Sequence, residues 1–319
     1  MKDYRTWMEK EIEPLLNQYR KQFWLEREEG KKLYCLSFRR ENPKGVIVIS
    51  HGFTENEEKY KEVIFRFLRQ NYTVYFMEHC GHGRSYRLVE DLSMVYVDSY
   101  ERYVDDFLLF SHVVRKENPR LPLYLFGHSM GGGIAAAVIT KEPDLFQKAL
   151  LSSPMIRPYI PKMPWRDARA IARTFCLAGK AKDYVIGHGS YNGPKPLEHT
   201  SSMRKDQNDY YQEIRSREPL FQTNGASYGW IRAADRLNRY LRKESPGRIC
   251  IPVLLFQAEY EHLVSNKEQV HFILSLRKAG LVSAKLVRVP DTKHEIFNSK
   301  RHTREGYYRM IFRFLEKKQ

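Results

Sequence analysis

The sequence predicts an α/β fold: a mostly parallel central sheet with helices on both faces, interrupted by a mainly helical insertion. Three observations predict it. Short continuous apolar runs recur, as in GVIVIS, PLYLF and IPVLLF, and such runs mark strands buried on both faces. Amphipathic segments with helical spacing lie between them. The alternation stops near Pro154 and resumes near residue 249, leaving a basic, aromatic middle segment with few strand signals.

In chain order, residues 1 to about 20 predict a charged helix. FWLERE and KLYCLSF, separated by Glu29-Gly30, predict a β-hairpin. GVIVISHG predicts the next strand, and NEEKYKEVIFRFLRQN a helix with Tyr60, Val63, Ile64, Phe67 and Leu68 on one side. YTVYFME predicts a strand and YERYVDDFLLFSHVVRKEN a helix. PLYLFGHS and KALLSSP predict strands flanking a helix that begins near Ser129. IPVLLFQAE, NKEQVHFILSLRKAG, AKLVRVP and TREGYYRMIFRFLEKK continue the alternation to the end. One sheet needs both flanks, so the expected division is 1–154 and 249–319 as the two parts of one core, with 155–248 as a lid or cap. Two basic amphipathic helices are expected in that insertion. WRDARAIARTFCLAG sets Trp165, Ala168, Ile171, Ala172 and Phe175 against Arg166, Arg169 and Arg173. IRAADRLNRYLRK sets Ile231, Ala234, Leu237 and Leu241 against Arg232, Arg236, Arg239 and Arg242.

With 319 residues, 42% of them hydrophobic, the chain can bury one large core. A net charge of +16 points to an anionic partner: phospholipid headgroups, nucleic acid or an acidic substrate. No zinc-finger spacing or ribonucleoprotein aromatic motif supports nucleic acid, so none is expected. Cys35, Cys80, Cys176 and Cys250 are scattered without C-x-x-C spacing, as in reduced proteins. The N-terminus carries charges throughout and lacks an apolar signal region. No apolar run approaches the roughly 20 residues that span a bilayer. The expectation is a cytoplasmic protein whose furthest membrane involvement is peripheral contact with an anionic inner face. The sequence assigns no oligomeric state.

The segment LFGHSMGGG, Leu125 to Gly133, contains G-x-S-x-G between a predicted strand and a predicted helix. That context demands a sharp, strained turn that projects Ser129 beyond the sheet. Gly127 and Gly131 leave room for it, and Gly132 and Gly133 let the new helix pack closely. The alternative is a helix N-cap serine after a glycine loop. A serine nucleophile needs a base. In this topology the base follows the last strand, where His294 stands in VPDTKHEIFN. Of the other histidines, His302 borders the last helix, His271 lies on a helix, His188 and His199 fall in the insertion, and His128 sits within the elbow. The orienting acid follows IPVLLF, where QAEYEHLVS offers Glu259 and Glu261; Asp291 lies on the wrong loop. An oxyanion hole would use the backbone N–H of Met130 and that of Phe53 in His51-Gly52-Phe53. This chemistry requires no metal and no cofactor.

HGF, GHGRS at Gly81 to Ser85, GHSMGG and KHEIFN, in this order, resemble the monoacylglycerol lipase and lysophospholipase group of α/β-hydrolases. The resemblance runs from about residue 20 to the end. LEHTSSMRKDQNDYYQ, GASYGWIRAADRL and IPVLLFQAEYEHLV are most similar to bacterial lysophospholipases. It implies an α/β-hydrolase fold, Ser129 as nucleophile, His294 as base and Glu261 as acid. Relatives usually show Asp-x-x-Val where this chain has Glu261-His262-Leu263-Val264, and Asp and Arg where it has Glu78 and Cys80. The implied activity is hydrolysis of a carboxylic ester of a single-chain lipid, a lysophospholipid or a monoacylglycerol, through an acyl-enzyme on Ser129. The insertion would cover the catalytic edge of the sheet. Its aromatic residues, Tyr159, Phe175, Tyr184, Phe221 and the substrate-binding candidates Trp165, Tyr228 and Trp230, would line an acyl tunnel. Its basic outer faces would meet anionic headgroups. Carboxylesterases for small soluble esters share this fold and triad, as do prolyl-type aminopeptidases, which need an acidic anchor such as Glu198 or Asp206. A non-catalytic lipid-binding protein is a further alternative.

Overall fold

In a computed structural model, which describes residues 3–161 and 163–317, the apolar runs become the middle of one eight-stranded sheet. Before it lie α1 (Tyr4–Trp7), a π-helical turn (Met8–Ile12) and α2 (Glu13–Tyr19). The hairpin β1 (Arg20–Glu28) and β2 (Lys31–Phe38) turns at Gly30, whose φ of 72° suits a residue without Cβ. Then follow β3 (Val46–Ser50), α3 (Glu57–Arg69), β4 (Thr73–Met77), the two-residue β5 (Met94–Val95), α4 (Tyr100–Glu117), β6 (Leu123–His128), α5 (Met130–Lys141) and β7 (Lys148–Ser152). The middle segment holds α6 (Trp165–Leu177), α7 (Lys205–Arg217), β8 (Gly225–Ala226) and α8 (Tyr228–Glu244). The chain closes with β9 (Val253–Tyr260), α9 (Asn266–Lys278), β10 (Lys285–Lys293) and α10 (Arg301–Glu316).

The strand order is β1-β2-β4-β3-β6-β7-β9-β10. β2 runs antiparallel to both its neighbours, and the remaining pairs are parallel. Every residue of β3, β4, β6 and β7 is buried, which is why these strands read as continuous apolar runs. Alternate residues feed two cores. Val46 and Val48 join Phe107, Ile134 and Leu237 on one face; Ile47 and Ile49 join Ile64, Phe67, Tyr307 and Ile311 on the other.

The predicted helices form, including α6 and α8 with their apolar stripes inward and Arg166, Arg169, Arg173, Arg236, Arg239 and Arg242 outward. α6 packs on α8, and α8 packs on α4 and α5, so its apolar face belongs to the sheet's own core. α7 packs instead against α1 and α3. Sequence periodicity does not mark α7, because its buried face is polar: Gln207, Asn208, Gln212 and Arg215 beside Tyr211. Also unmarked is the parallel pairing of β5 with β8, which ties the middle segment to the loop after β4.

The glycines of the elbow are dictated by space. A Cβ on Gly131 would lie 2.2 Å from the Ser50 carbonyl oxygen, and one on Gly127 2.7 Å from the Ala135 Cβ. Gly132 and Gly133 face Pro154 and Met155 with clearances of 2.7 and 2.4 Å. By contrast, a Cβ on Gly306, inside α10, meets nothing within 4 Å. Gly131→Ala is therefore expected to lower unfolding free energy by about 1–3 kcal/mol or more through overpacking. Gly306→Ala is expected to raise it by about 0.5–1 kcal/mol by restricting the unfolded chain and improving helix propensity. Urea denaturation followed by circular dichroism checks the pair; a tolerated alanine at 131 would contradict the steric account.

Candidate active site

The site assembles at the carboxyl ends of β3, β6, β9 and β10. Ser129 occupies the turn from β6 into α5 with φ 54° and ψ −123°, a conformation that costs a non-glycine residue roughly 1–3 kcal/mol. The backbone around it is fully engaged. The Ser129 N–H donates to Ser152 O at 3.1 Å, and its carbonyl accepts from the N–H groups of Met155 at 2.7 Å and Gly132 at 2.9 Å.

The Ser129 hydroxyl donates to His294 Nε2 at 2.7 Å, and His294 Nδ1–H donates to Glu261 Oε2 at 2.6 Å. This pattern assigns the tautomer: the proton sits on Nδ1 and the lone pair on Nε2 faces the serine. The other Glu261 oxygen accepts from the amides of Leu263 at 2.9 Å and Val264 at 3.3 Å. Glu259, the other carboxylate of that loop, points elsewhere and accepts from the Asp291 amide at 2.8 Å. Asp291 pairs with Lys300. His302 is exposed at the start of α10, and His271 is exposed on α9.

Burial disfavours a charged imidazole at His294, but the adjacent Glu261 carboxylate and its hydrogen bond outweigh burial and hold the pKa above the ordinary histidine value. Burial likewise opposes the Glu261 charge, and His294 with the two amides overcomes it, so its pKa lies below the usual carboxylate range. His128, whose ring centroid is 4.9 Å from that of His294, is pushed well below the ordinary value by burial and then by His294. It stays uncharged, with Nδ1 bonded to Ser152 O at 3.1 Å.

Among the described residues, the amides of Phe53 and Met130 donate to no protein group, which leaves both free beside Ser129. A carboxylate that sequence reading missed fixes the Phe53 loop. Glu55 Oε2 accepts from the Gly52 N–H at 2.6 Å and from the Tyr60 hydroxyl at 2.6 Å. Gly52 is confined there: a Cβ would meet that oxygen at 2.6 Å and Ser129 Cβ at 3.0 Å. The other Glu55 oxygen lies 3.3 Å from Lys59 Nζ, which also donates to Glu295 Oε1 at 2.6 Å. Burial opposes the Lys59 charge, but Glu295 and Glu55 outweigh it and raise its pKa. The only sequence hint is an acidic run at the start of a helix, which usually means no more than a favourable helix terminus. Glu78 is buried and accepts from the amides of Glu57 at 3.2 Å and Arg84 at 2.6 Å, closing the turn that contains Gly83.

A cavity of about 490 Å³ opens over Ser129 and His294. Tyr228 and Trp230 line it, as do Tyr159, Ile171, Met163 and Leu263. Trp165 does not; its indole N–H turns to Asp235 on α8 at 3.1 Å, satisfying a polar group that an acyl tunnel would leave unpaired. Phe175 stacks on Tyr228 with centroids 4.2 Å apart, Phe221 lies under the Arg84 guanidinium, and Tyr184 donates to Asp91. Among the described residues, no group of three His, Cys, Asp or Glu side chains is arranged to hold a metal ion.

The His294 titration follows directly. It is expected above the ordinary histidine value of about 6.5, so the ring stays protonated to higher pH than a free imidazole. Glu261→Gln removes the opposing charge and leaves burial, moving the titration below that value. Imidazole ¹⁵N chemical shifts against pH check both; identical curves would exclude Glu261 as the cause.

The family described as Serine aminopeptidase, S33, matches residues 41–301. The chain is 27% identical over 270 residues to the probable lysophospholipase L2 of Haemophilus influenzae, covering 85% of this chain and 83% of that protein. It is 27% identical over 244 residues to the monoglyceride lipase of Rattus norvegicus, covering 75% of this chain and 73% of the relative. A solved structure of a monoglyceride lipase from Saccharomyces cerevisiae superposes with a TM-score of 0.72 at 18% identity, over 93% of this chain and 94% of the other. The fold is that of the α/β-hydrolases. The chain belongs to the S33 family.

Proposed function

We propose that this S33-family chain hydrolyses the carboxylic ester of single-chain lipids, a lysophospholipid or a monoacylglycerol, through an acyl-enzyme on Ser129. The observation that carries the reading is the hydrogen-bonded series Ser129–His294–Glu261 opening into a largely apolar cavity. Relatives named lysophospholipase and monoglyceride lipase support the substrate class.

In the first half-reaction Ser129 Oγ attacks the ester carbonyl while His294 Nε2 takes its proton. The Phe53 and Met130 amides receive the oxyanion. Glu261 holds the imidazole in its tautomer and stabilises its charged form. Collapse expels the glycerol-side oxygen, which takes the proton from His294. Water then gives a proton to His294 and adds to the acyl carbon. The second collapse releases the fatty acid and returns the proton to Ser129. Tyr228, Trp230 and the α6 side chains supply an apolar path for the acyl chain. Residues 155–248 act as the lid over this edge.

Among the described residues, two carboxylates line the cavity, Glu55 and Glu295, and both are bound to Lys59. Neither is free to anchor a substrate ammonium, and Glu198 and Asp206 lie outside the lining. This favours esters over the amine-bearing substrates of aminopeptidases, and the apolar lining favours acyl chains over small soluble esters.

Ser129→Ala is expected to lower kcat on lauroyl esters by about 10³-fold or more. Near wild-type turnover, or a fluorophosphonate probe that fails to label Ser129 in the parent protein, would sink the assignment. For Glu261→Gln, kcat should fall by about 10³–10⁴-fold. In the parent, kcat/KM rises with pH as His294 loses its proton, so its acid limb lies above the ordinary histidine value; in the variant the limb moves to lower pH. We further infer peripheral contact with anionic bilayers through the outer faces of α6 and α8, where Arg169, Arg173 and Arg242 are exposed. Sedimentation with anionic vesicles should weaken as salt rises, and equal binding to neutral vesicles would remove the electrostatic account.

A further inference from the structure

The cavity lining is chemically divided, and the division follows the helices. Most of the apolar side chains come from α6, α8, residues 158–161 and Met163, with Val185, Ile186, Leu263 and Val264 from loops; the cationic ones come from α3, α7 and the loop before α7. Three cations are in the second set: Lys59, Lys195 and Arg215. Lys59 takes both lining carboxylates, Glu55 and Glu295. Among the described residues, that leaves Lys195 and Arg215 without a counter-ion.

Arg215 is 5% exposed on the inner face of α7. Its Nε and Nη2 donate to the carbonyls of Phe221 at 3.1 Å and Thr223 at 2.6 Å, and its guanidinium lies over the Tyr191 ring at 4.7 Å. None of these partners carries a charge. Lys195 is half-buried, and its backbone is pinned to α7. Its N–H donates to Gln212 Oε1 at 3.2 Å, and its carbonyl accepts from Asn208 Nδ2 at 3.2 Å. Burial and then its charged neighbours Arg215 and Lys59, both cations, depress the Lys195 pKa. His188, another lining residue, is held down by burial and then by Lys195; its Nδ1 accepts from the Ala226 amide at 2.9 Å. Desolvated cations without a counter-ion are costly to keep, and a bound anion would offset that cost.

We propose that Lys195 and Arg215 form an anion subsite for the phosphate of a lysophospholipid. The substrate class is then acyl glycerophosphates rather than neutral monoacylglycerols. The inference rests on Ser129 as the nucleophile. With the acyl chain against α6 and α8, the glycerol unit bridges from the ester at Ser129 toward the α7 side, where the phosphate meets the two cations. Arg215, its Nε and Nη2 already held by the two carbonyls, offers Nη1 to the phosphate, and Lys195 meets it as a point charge.

The test compares lauroyl glycerophosphate with lauroyl glycerol, both below their critical micelle concentrations. The parent should favour the phosphate ester in kcat/KM by about tenfold or more. Lys195→Ala should lower that ratio about tenfold, chiefly through KM. Lys195→Glu should invert the preference, and Lys195→Arg should restore most of it. A ratio near one in the parent, or a ratio unmoved in both Lys195→Ala and Lys195→Glu, overturns the subsite. Inorganic phosphate separates the two sources of this chemistry. If it competes with lauroyl glycerol in the parent while the ratio is near one, the site takes free phosphate and the headgroup assignment fails. Ser129→Ala separates this failure from that of the hydrolase reading: turnover of either ester by that variant removes the nucleophile itself.

Discussion

The site depends on how closely α5 approaches β3. At Gly131 the backbone of the new helix lies against the carbonyls of Ser50 and His51, with no space for a methyl group. That contact forces the abrupt reversal at Ser129 and sets it beside the His51–Phe53 loop. Ser129 holds a costly backbone conformation because four hydrogen bonds to its own N–H and carbonyl over-determine it. The place of Ser129 is therefore a property of sheet packing, and the Phe53 loop, His294 and Glu261 converge on a point already fixed.

Charge is distributed around that point in two closed sets. Glu261 spends one oxygen on His294 and the other on two backbone amides, so its position does not depend on the imidazole alone. Glu55, Lys59 and Glu295 form a second set in the cavity wall beside the Phe53 loop, anchored to Gly52 and Tyr60. Breaking such a set would leave an uncompensated charge in a low-dielectric interior, which keeps the loop rigid. For the mechanism proposed above this matters, because donors that are already oriented need no reorganisation when charge develops on an oxyanion.

Much of this was legible in the sequence, for physical reasons. Strands buried on both faces read as unbroken apolar runs, so β3, β6, β7 and β9 were apparent. The elbow was apparent because the only residues that fit its contacts are glycines. His294 stands out by its position after the last strand, and the structure sets it against Ser129. Glu259 and Glu261 could not be separated from spacing, since both follow one apolar run. Their difference arises where β9 ends at Tyr260 and the chain folds back to offer its amides to Glu261. Lys59 and Glu295 are 236 residues apart, and no local pattern announces such a pair. α7 stayed hidden because it buries amides and an arginine. Trp165 looked like tunnel lining because its bulk is apolar, whereas its N–H decides where it points.

The way α8 is seated has a mechanical corollary. Ile231, Ala234, Leu237 and Leu241 lie in the same core as α4 and α5. Swinging the whole middle segment away would return them to water at about 1.5–3 kcal/mol for each large side chain. The β5–β8 pairing adds a second hinge-blocking tie. Access to Ser129 is thus restricted to the parts that this clamp does not hold: the segment with Tyr159 and Met163, and the loop carrying Ile186, where large apolar side chains are already exposed. The opening over Ser129 is therefore local, bounded by a fixed beam and these exposed apolar edges.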